Sequence, residues 1–233
     1  MECVWRIEAA APIRDYPVRP DGCLDILYSR TGGLQVVGTM TTERRFELSA
    51  GAVMAGIRFR PGMARAFIGV SPAELTDRTA AFDDVMGRAA RTLQARLDDA
   101  PSADQCLTVL ATALPVPDQP SPNPVQQAIA AIAHTRGQAD LDRIAAQANL
   151  SPRQFRRRCR EESGLTPKRL CRVLRFRHAA TLAESGSRSR PDWAAIAAEA
   201  GYFDQAHLVR DFREFTGRTP MSVFSNTAPA ALA

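Results

Sequence analysis

Residues 144–220 carry one pattern twice, and this repeat restricts what the carboxyl-terminal half can fold into. Ile144-Ala145, followed four residues on by Asn149, recurs as Ile196-Ala197 and Gly201, an offset of 52. Beyond the turn Phe155 matches Leu208, Cys159 matches Phe212, Gly164 matches Gly217, and Thr166-Pro167 matches Thr219-Pro220, all at an offset of 53. Each copy reads as a short helix, a tight turn at a residue tolerant of left-handed backbone, and a second helix ending at glycine. That is the grammar of a helix-turn-helix, used twice.

In the first copy Asp140 is placed to cap a helix reaching about Ala148, and Ser151-Pro152 starts the next one. Phe155 and Cys159, four apart, must face inward, which leaves Arg153, Arg156, Arg157 and Arg160 outward. A helix fits the major groove, where arginine reads guanine through O6 and N7. In the second copy Leu208, Phe212 and Phe215 mark the buried face, so Gln205, Ala206, His207 and Arg210 are expected to be exposed. Glutamine can read adenine, alanine can touch a thymine methyl, and arginine can take guanine or a phosphate. His207 on that face is expected to bond a base or a phosphate.

Between the copies Pro167 to Glu184 reads as one helix, about 27 Å long at the usual rise per residue. Successive major grooves on one side of a duplex lie about 34 Å apart, so such a rod can present two recognition helices to adjacent grooves. Charge agrees with this. Residues 1–115 hold 13 basic and 14 acidic groups, and residues 116–233 hold 17 and 11, for a total of +5. Ten of the basic groups fall between Arg153 and Arg177, against Glu161 and Glu162. Such an excess points to a polyanionic partner. Backbone contacts are expected from Ser151, Gln154, Arg160, Lys168, Arg169, Arg172 and Gln205.

The run GYFDQAHLVRDFREFTGRTPMSVF, with LDRIAAQANLSPRQFRRRCREESGLTPKRL before it, resembles the double helix-turn-helix domain of the AraC family of bacterial transcription regulators. The resemblance covers residues 124–224 and implies a seven-helix domain that recognises double-stranded promoter DNA and, in most members of the family, influences RNA polymerase. Carried over residue by residue, the family's base-reading positions fall on Arg153, Arg156 and Arg157, and on Ala206, His207 and Arg210. Cys159 departs from the pattern, which has an aromatic there.

The amino-terminal half has a different texture. VWRI, CLDILYS, LQVV, RFEL and VMAGIRFR are β-like runs separated by turn signals such as Asp21-Gly22 and Gly32-Gly33. Ser71-Pro72-Ala73-Glu74 matches a capping box, Met86, Ala89, Leu93 and Leu97 fall on one helical face, and a second helix spans roughly 103–114. The fold class expected is α+β: a β-rich domain over 1–114 with two trailing helices, a proline-rich linker over 115–123, an all-helical domain over 124–226, and a flexible tail over 227–233. PDGCLDILYS and GIRFRPGMARAFIGVSPAEL resemble a sensor-like domain that precedes such DNA-binding regions in part of the family. The likeness implies a regulatory unit that binds a small-molecule effector or forms a homodimer, and leaves the choice open. Leu93, Leu97, Leu107 and Leu110 are expected to pack on their own sheet, with a dimer interface as the alternative.

Arg58 and Arg60 share one face of VMAGIRFR, and with Asp25 they could hold a carboxylate or phosphate ligand; a solvated sheet face is the alternative. His134, His178 and His207 have no partner at i+3 or i+4, so neither metal nor cofactor is expected. Trp193, Phe203 and Phe215 are expected in the core. The five cysteines are far apart and contain no C-x-x-C pair, which reads as reduced thiols in a cytoplasm. No apolar run is long enough for a membrane span, and the start lacks an export signal. Enzymatic activity is not expected; the competing reading is a DNA-binding module fused to a cysteine-dependent alkyl-transfer or redox-sensing domain, which needs an activated thiol.

Overall fold

The computed structural model describes residues 2–113, 122–185 and 191–225. The amino-terminal part contains β1 (Cys3–Glu8), β2 (Ile13–Val18), β3 (Leu24–Ser29), β4 (Gly33–Val37), β5 (Arg44–Leu48), β6 (Val53–Phe59) and β7 (Thr79–Ala81). It also holds helices α1 (Arg65–Ile68), α2 (Pro72–Leu75), α3 (Phe82–Met86), α4 (Arg88–Asp98) and α5 (Ala103–Ala113). The main sheet runs β1-β6-β3-β4-β7, antiparallel throughout, while β2 and β5 form a separate ribbon. Ile26 opposes Ile57 on one side and Val36 on the other, so one face of the sheet is aliphatic. Helices α4 and α5 cover it through Leu93, Leu97, Cys106 and Leu110, all buried. The leucines therefore pack on their own sheet, as the sequence indicates.

The expected strands are all present, and two more appear. β2 contains Pro17 and a register shift between Ile13 and Tyr16, which hides it from a search for alternation; β7 has only three residues. Two local expectations are corrected. The Ser71 side chain accepts from Ala73, two residues on, and forms no reciprocal box. Gly87 breaks the helix after Met86, which rotates the new helix so that Ala90 is buried and Ala89 exposed.

Seven helices follow among the described residues: α6 (Pro124–His134), α7 (Leu141–Gln147), α8 (Pro152–Ser163), α9 (Pro167–Ser185), α10 (Trp193–Glu199), α11 (Gln205–Thr216) and α12 (Pro220–Phe224). Asn123 opens α6 with a reciprocal cap to Gln126. Most of the expected linker and all of the expected tail lie outside the described residues. One core unites the seven helices, with Phe176, Phe212 and Phe215 fully enclosed and Trp193 packed edge-on to Phe212 at 5.8 Å. Cys159 occupies its core position without any exposure.

Candidate nucleic-acid interface

Local chemistry fixes both candidate recognition helices. The turn into α8 passes through Asn149 at φ 54°, and the turn before α11 passes through Gly201 at φ 78°. Asp140 accepts from Asp142 and Arg143, and Asp192 accepts from Ala194 and Ala195, so the first helix of each unit is capped alike. α8 begins with a reciprocal cap: Ser151 accepts from the Gln154 amide at 3.3 Å, and Gln154 Oε1 accepts from the Ser151 amide at 3.0 Å. Both side chains expected on phosphate are thus engaged with each other. Both helices end at left-handed glycines, Gly164 and Gly217.

Phe155 and Cys159 turn inward on α8, which leaves Arg153, Arg156, Arg157, Arg158 and Arg160 exposed. Arg157 bonds Glu161 one turn on at 2.9 Å, an exposed pair that exchanges readily for a stronger anion. On α11, Leu208, Asp211, Phe212 and Phe215 are buried. Its outer side forms a shallow hollow of about 520 Å³ lined by Gln205, Ala206, Val209, Arg210 and Arg213. Arg213, which the sequence does not single out, lies three residues beyond Arg210 on the same face. His207 is half-buried with its ring edge-on to Tyr202 at 5.1 Å, so it is less available than expected.

Arg169 and Arg172 are corrected. The sequence suggests free guanidinium groups for phosphate; the structure commits both to α11. Arg172 bonds the buried Asp211 at 2.6 Å, and both arginines bond Glu214. Their guanidinium groups also lie over the Phe215 ring, at 4.7 and 5.4 Å. These pairs hold Glu214 below the usual carboxylate range. Arg169 and Arg172 therefore set the angle between α9 and α11, while Lys168 stays exposed. Phe203 is the other correction: it is 94% exposed rather than in the core.

The expected ligand triad does not assemble as an open site. Arg58 bonds Asp21 and Asp25, each at 3.0 Å, and Asp25 also accepts from the Trp5 indole at 2.9 Å. Two carboxylates neutralise Arg58, while Arg60 is exposed beyond the strand end. Burial raises the Asp25 pKa, with Arg58 opposing it.

No group of three or more His, Cys, Asp or Glu residues among those described is arranged to hold a metal, and no described helix is long and apolar enough to cross a membrane. The thiols lack activation. Burial pushes Cys23 well above the usual range, with Asp21 adding to it, and its Sγ–H donates to Glu2 at 2.9 Å. Burial likewise takes Cys159 up to about 12. Only Cys3 of the five is exposed. Titration of the native protein with an aromatic disulfide reagent should therefore modify Cys3 alone, the other four following only in denaturant. Rapid modification of Cys23 would restore the thiol-chemistry alternative.

Residues 144–226 match a family model described as a helix-turn-helix domain. The chain carries an AraC-type helix-turn-helix domain. That AraC-type domain makes the protein a DNA-binding regulator of transcription. Residues 1–81 match a domain family of unknown function, DUF6597. No curated protein matches the chain. Among solved structures, the DNA-binding domain of AdpA, described as a global transcriptional factor in complex with a target DNA, is 27% identical. That match covers 44% of this chain and 90% of the AdpA DNA-binding-domain chain, at a TM-score of 0.39. ToxT from Vibrio cholerae is 9% identical, with 97% of this chain and 98% of its own covered, at a TM-score of 0.46.

Proposed function

We propose that the protein reads two successive major grooves of promoter DNA, one with α8 and one with α11, and that the amino-terminal domain controls this reading. The observation that carries the first part is the pair of exposed, arginine-bearing helix faces joined by one 19-residue helix, the second of them locked to it by the Arg172–Asp211 pair. Arg153, Arg156 and Arg157 are the base readers of the first unit, and Ala206 and Arg210, with a lesser share for His207, those of the second. Arg160, Lys168 and Gln205 hold the backbone. Promoter DNA is the first partner, and RNA polymerase the expected second.

The test is selection of sheared genomic DNA by the full-length protein at about 0.15 M salt, which favours specific over purely electrostatic binding. Two short elements about one helical turn apart should emerge. On the recovered duplex Arg157→Ala should cost about 1–3 kcal/mol and relax discrimination at one base pair. An equal loss on random DNA would mark Arg157 as a phosphate contact instead.

Control by the amino-terminal domain is supported by a polar seam along both units. Ser71, Thr39 and Thr76 donate to the carbonyls of Glu161, Ser163 and Gly164 at the end of α8. At the end of α11 the Glu43 amide donates to Phe215 O at 2.6 Å, and its carboxylate, only 3% exposed, meets Arg218, Arg45 and Arg19. Glu43→Ala leaves three guanidinium groups without their shared anion, an effect of about 3 kcal/mol for a buried pair. Amide exchange over residues 205–218 should accelerate, exchange over β3 and β6 should not, and affinity for the selected duplex should change. Unaltered affinity despite faster exchange would refute control through this seam.

A further inference from the structure

We propose that Phe203 is a specificity-determining contact to DNA, its ring lying against a thymine methyl group at the edge of the groove that α11 enters. This rests on the reading of α11 as a recognition helix. Phe203 immediately precedes Asp204, whose carboxylate caps α11 by accepting from the His207 amide at 2.6 Å. An apolar residue in that place ordinarily folds back onto the fourth residue of the helix, here Leu208. It does not do so here: Leu208 has no exposure, already enclosed by the domain core, and Phe203 is 94% exposed.

The inward place is taken by Tyr202, 5% exposed, whose ring meets His207 and lies 5.5 Å below the Arg175 guanidinium. Of two consecutive aromatic residues one is thus buried and the other exposed, and the exposed one stands just before the amino end of α11, whose outer side carries Ala206, Arg210 and Arg213. The arginines around the hollow on α11 favour a polyanion over a lipid or an apolar protein segment. Within a major groove the apolar feature on offer is the thymine C5-methyl group. A rigid, exposed phenyl ring just ahead of a helix whose outer side carries Arg210 and Arg213 suits that combination: the guanidinium groups engage the polar groups of the DNA and the ring takes the methyl.

The test uses the full-length protein and a duplex recovered from the genomic selection, with the thymines of the second element replaced singly by deoxyuridine, which removes only the methyl. One replacement should weaken wild-type binding about three- to tenfold, within the range of a single base contact. Phe203→Ala should lose a similar factor on the unmodified duplex and become indifferent to that replacement, while Phe203→Leu keeps most of the affinity. Normal DNA binding by Phe203→Ala overturns the proposal, and a selective loss of transcriptional output would then assign the ring to a protein partner. Weaker binding with no sensitive thymine also overturns it, placing the ring on the sugar-phosphate backbone. If Arg210→Ala binds normally too, the reading of α11 itself falls; if it weakens binding and Phe203→Ala does not, only this proposal falls.

Discussion

Gly137→Ala should destabilise the protein by on the order of 4 kcal/mol in denaturant unfolding of the full chain. Gly137 follows α6 at φ 80°, where its amide closes the helix on Ile132 O at 3.0 Å. A β-carbon there would sit 2.1 Å from the carbonyl oxygen of Cys171 in the second turn of α9. Left-handed strain accounts for about 1–2 kcal/mol of the loss. The remainder comes from pushing α9 away, since a helix backbone cannot rotate aside as a side chain can. Gly217→Ala is the control: φ is 72°, and nothing lies within 4 Å of the added carbon. It should cost the strain alone, so equal losses at the two positions would show that α9 does not press on Gly137.

Asp211→Ala should be nearly as damaging, at about 3–5 kcal/mol, because it removes one partner of a buried ion pair. The Asp211 side chain is 2% exposed and receives Arg172 at 2.6 and 3.1 Å. Glu214 remains for Arg172, but it lies towards solvent and cannot fill the space beside Tyr202. Both unfolding and DNA binding should respond, since this pair fixes α11 on the rod. Asp211→Asn, which keeps the shape and one acceptor, should recover part of the stability. A change below about 1 kcal/mol for Asp211→Ala would mean that the aromatic core alone sets the position of α11.

The sequence reading located both helix-turn-helix units because their signals are local. Asp140, Ser151, Asp192 and Asp204 each satisfy amide groups within three residues, and Asn149 and Gly201 adopt the left-handed backbone their turns require. The arginine face of α8 was legible for the same reason, since the spacing of Phe155 and Cys159 decides which residues are left outside. β2 and the break at Gly87 were not legible, because a ribbon with a bulge and a five-residue helix leave too short a period to detect.

At the site, the partners of Arg169 and Arg172 lie 39 to 45 residues away on α11, so their spacing in the chain looks the same whether they face phosphate or carboxylate. The seam is hidden more deeply: Thr39, Ser71 and Thr76 donate to backbone carbonyls, and a carbonyl is present at every residue whatever the sequence. The outward turn of Phe203 belongs here too, for it depends on Tyr202 having taken the inward place beneath Arg175. The sequence by itself determined what is set within one helical turn: the caps, the turns, the repeat and the faces. Only the tertiary structure decided which charges stay exposed and which are consumed in pairs within and between the domains, because that depends on distances between groups far apart along the chain.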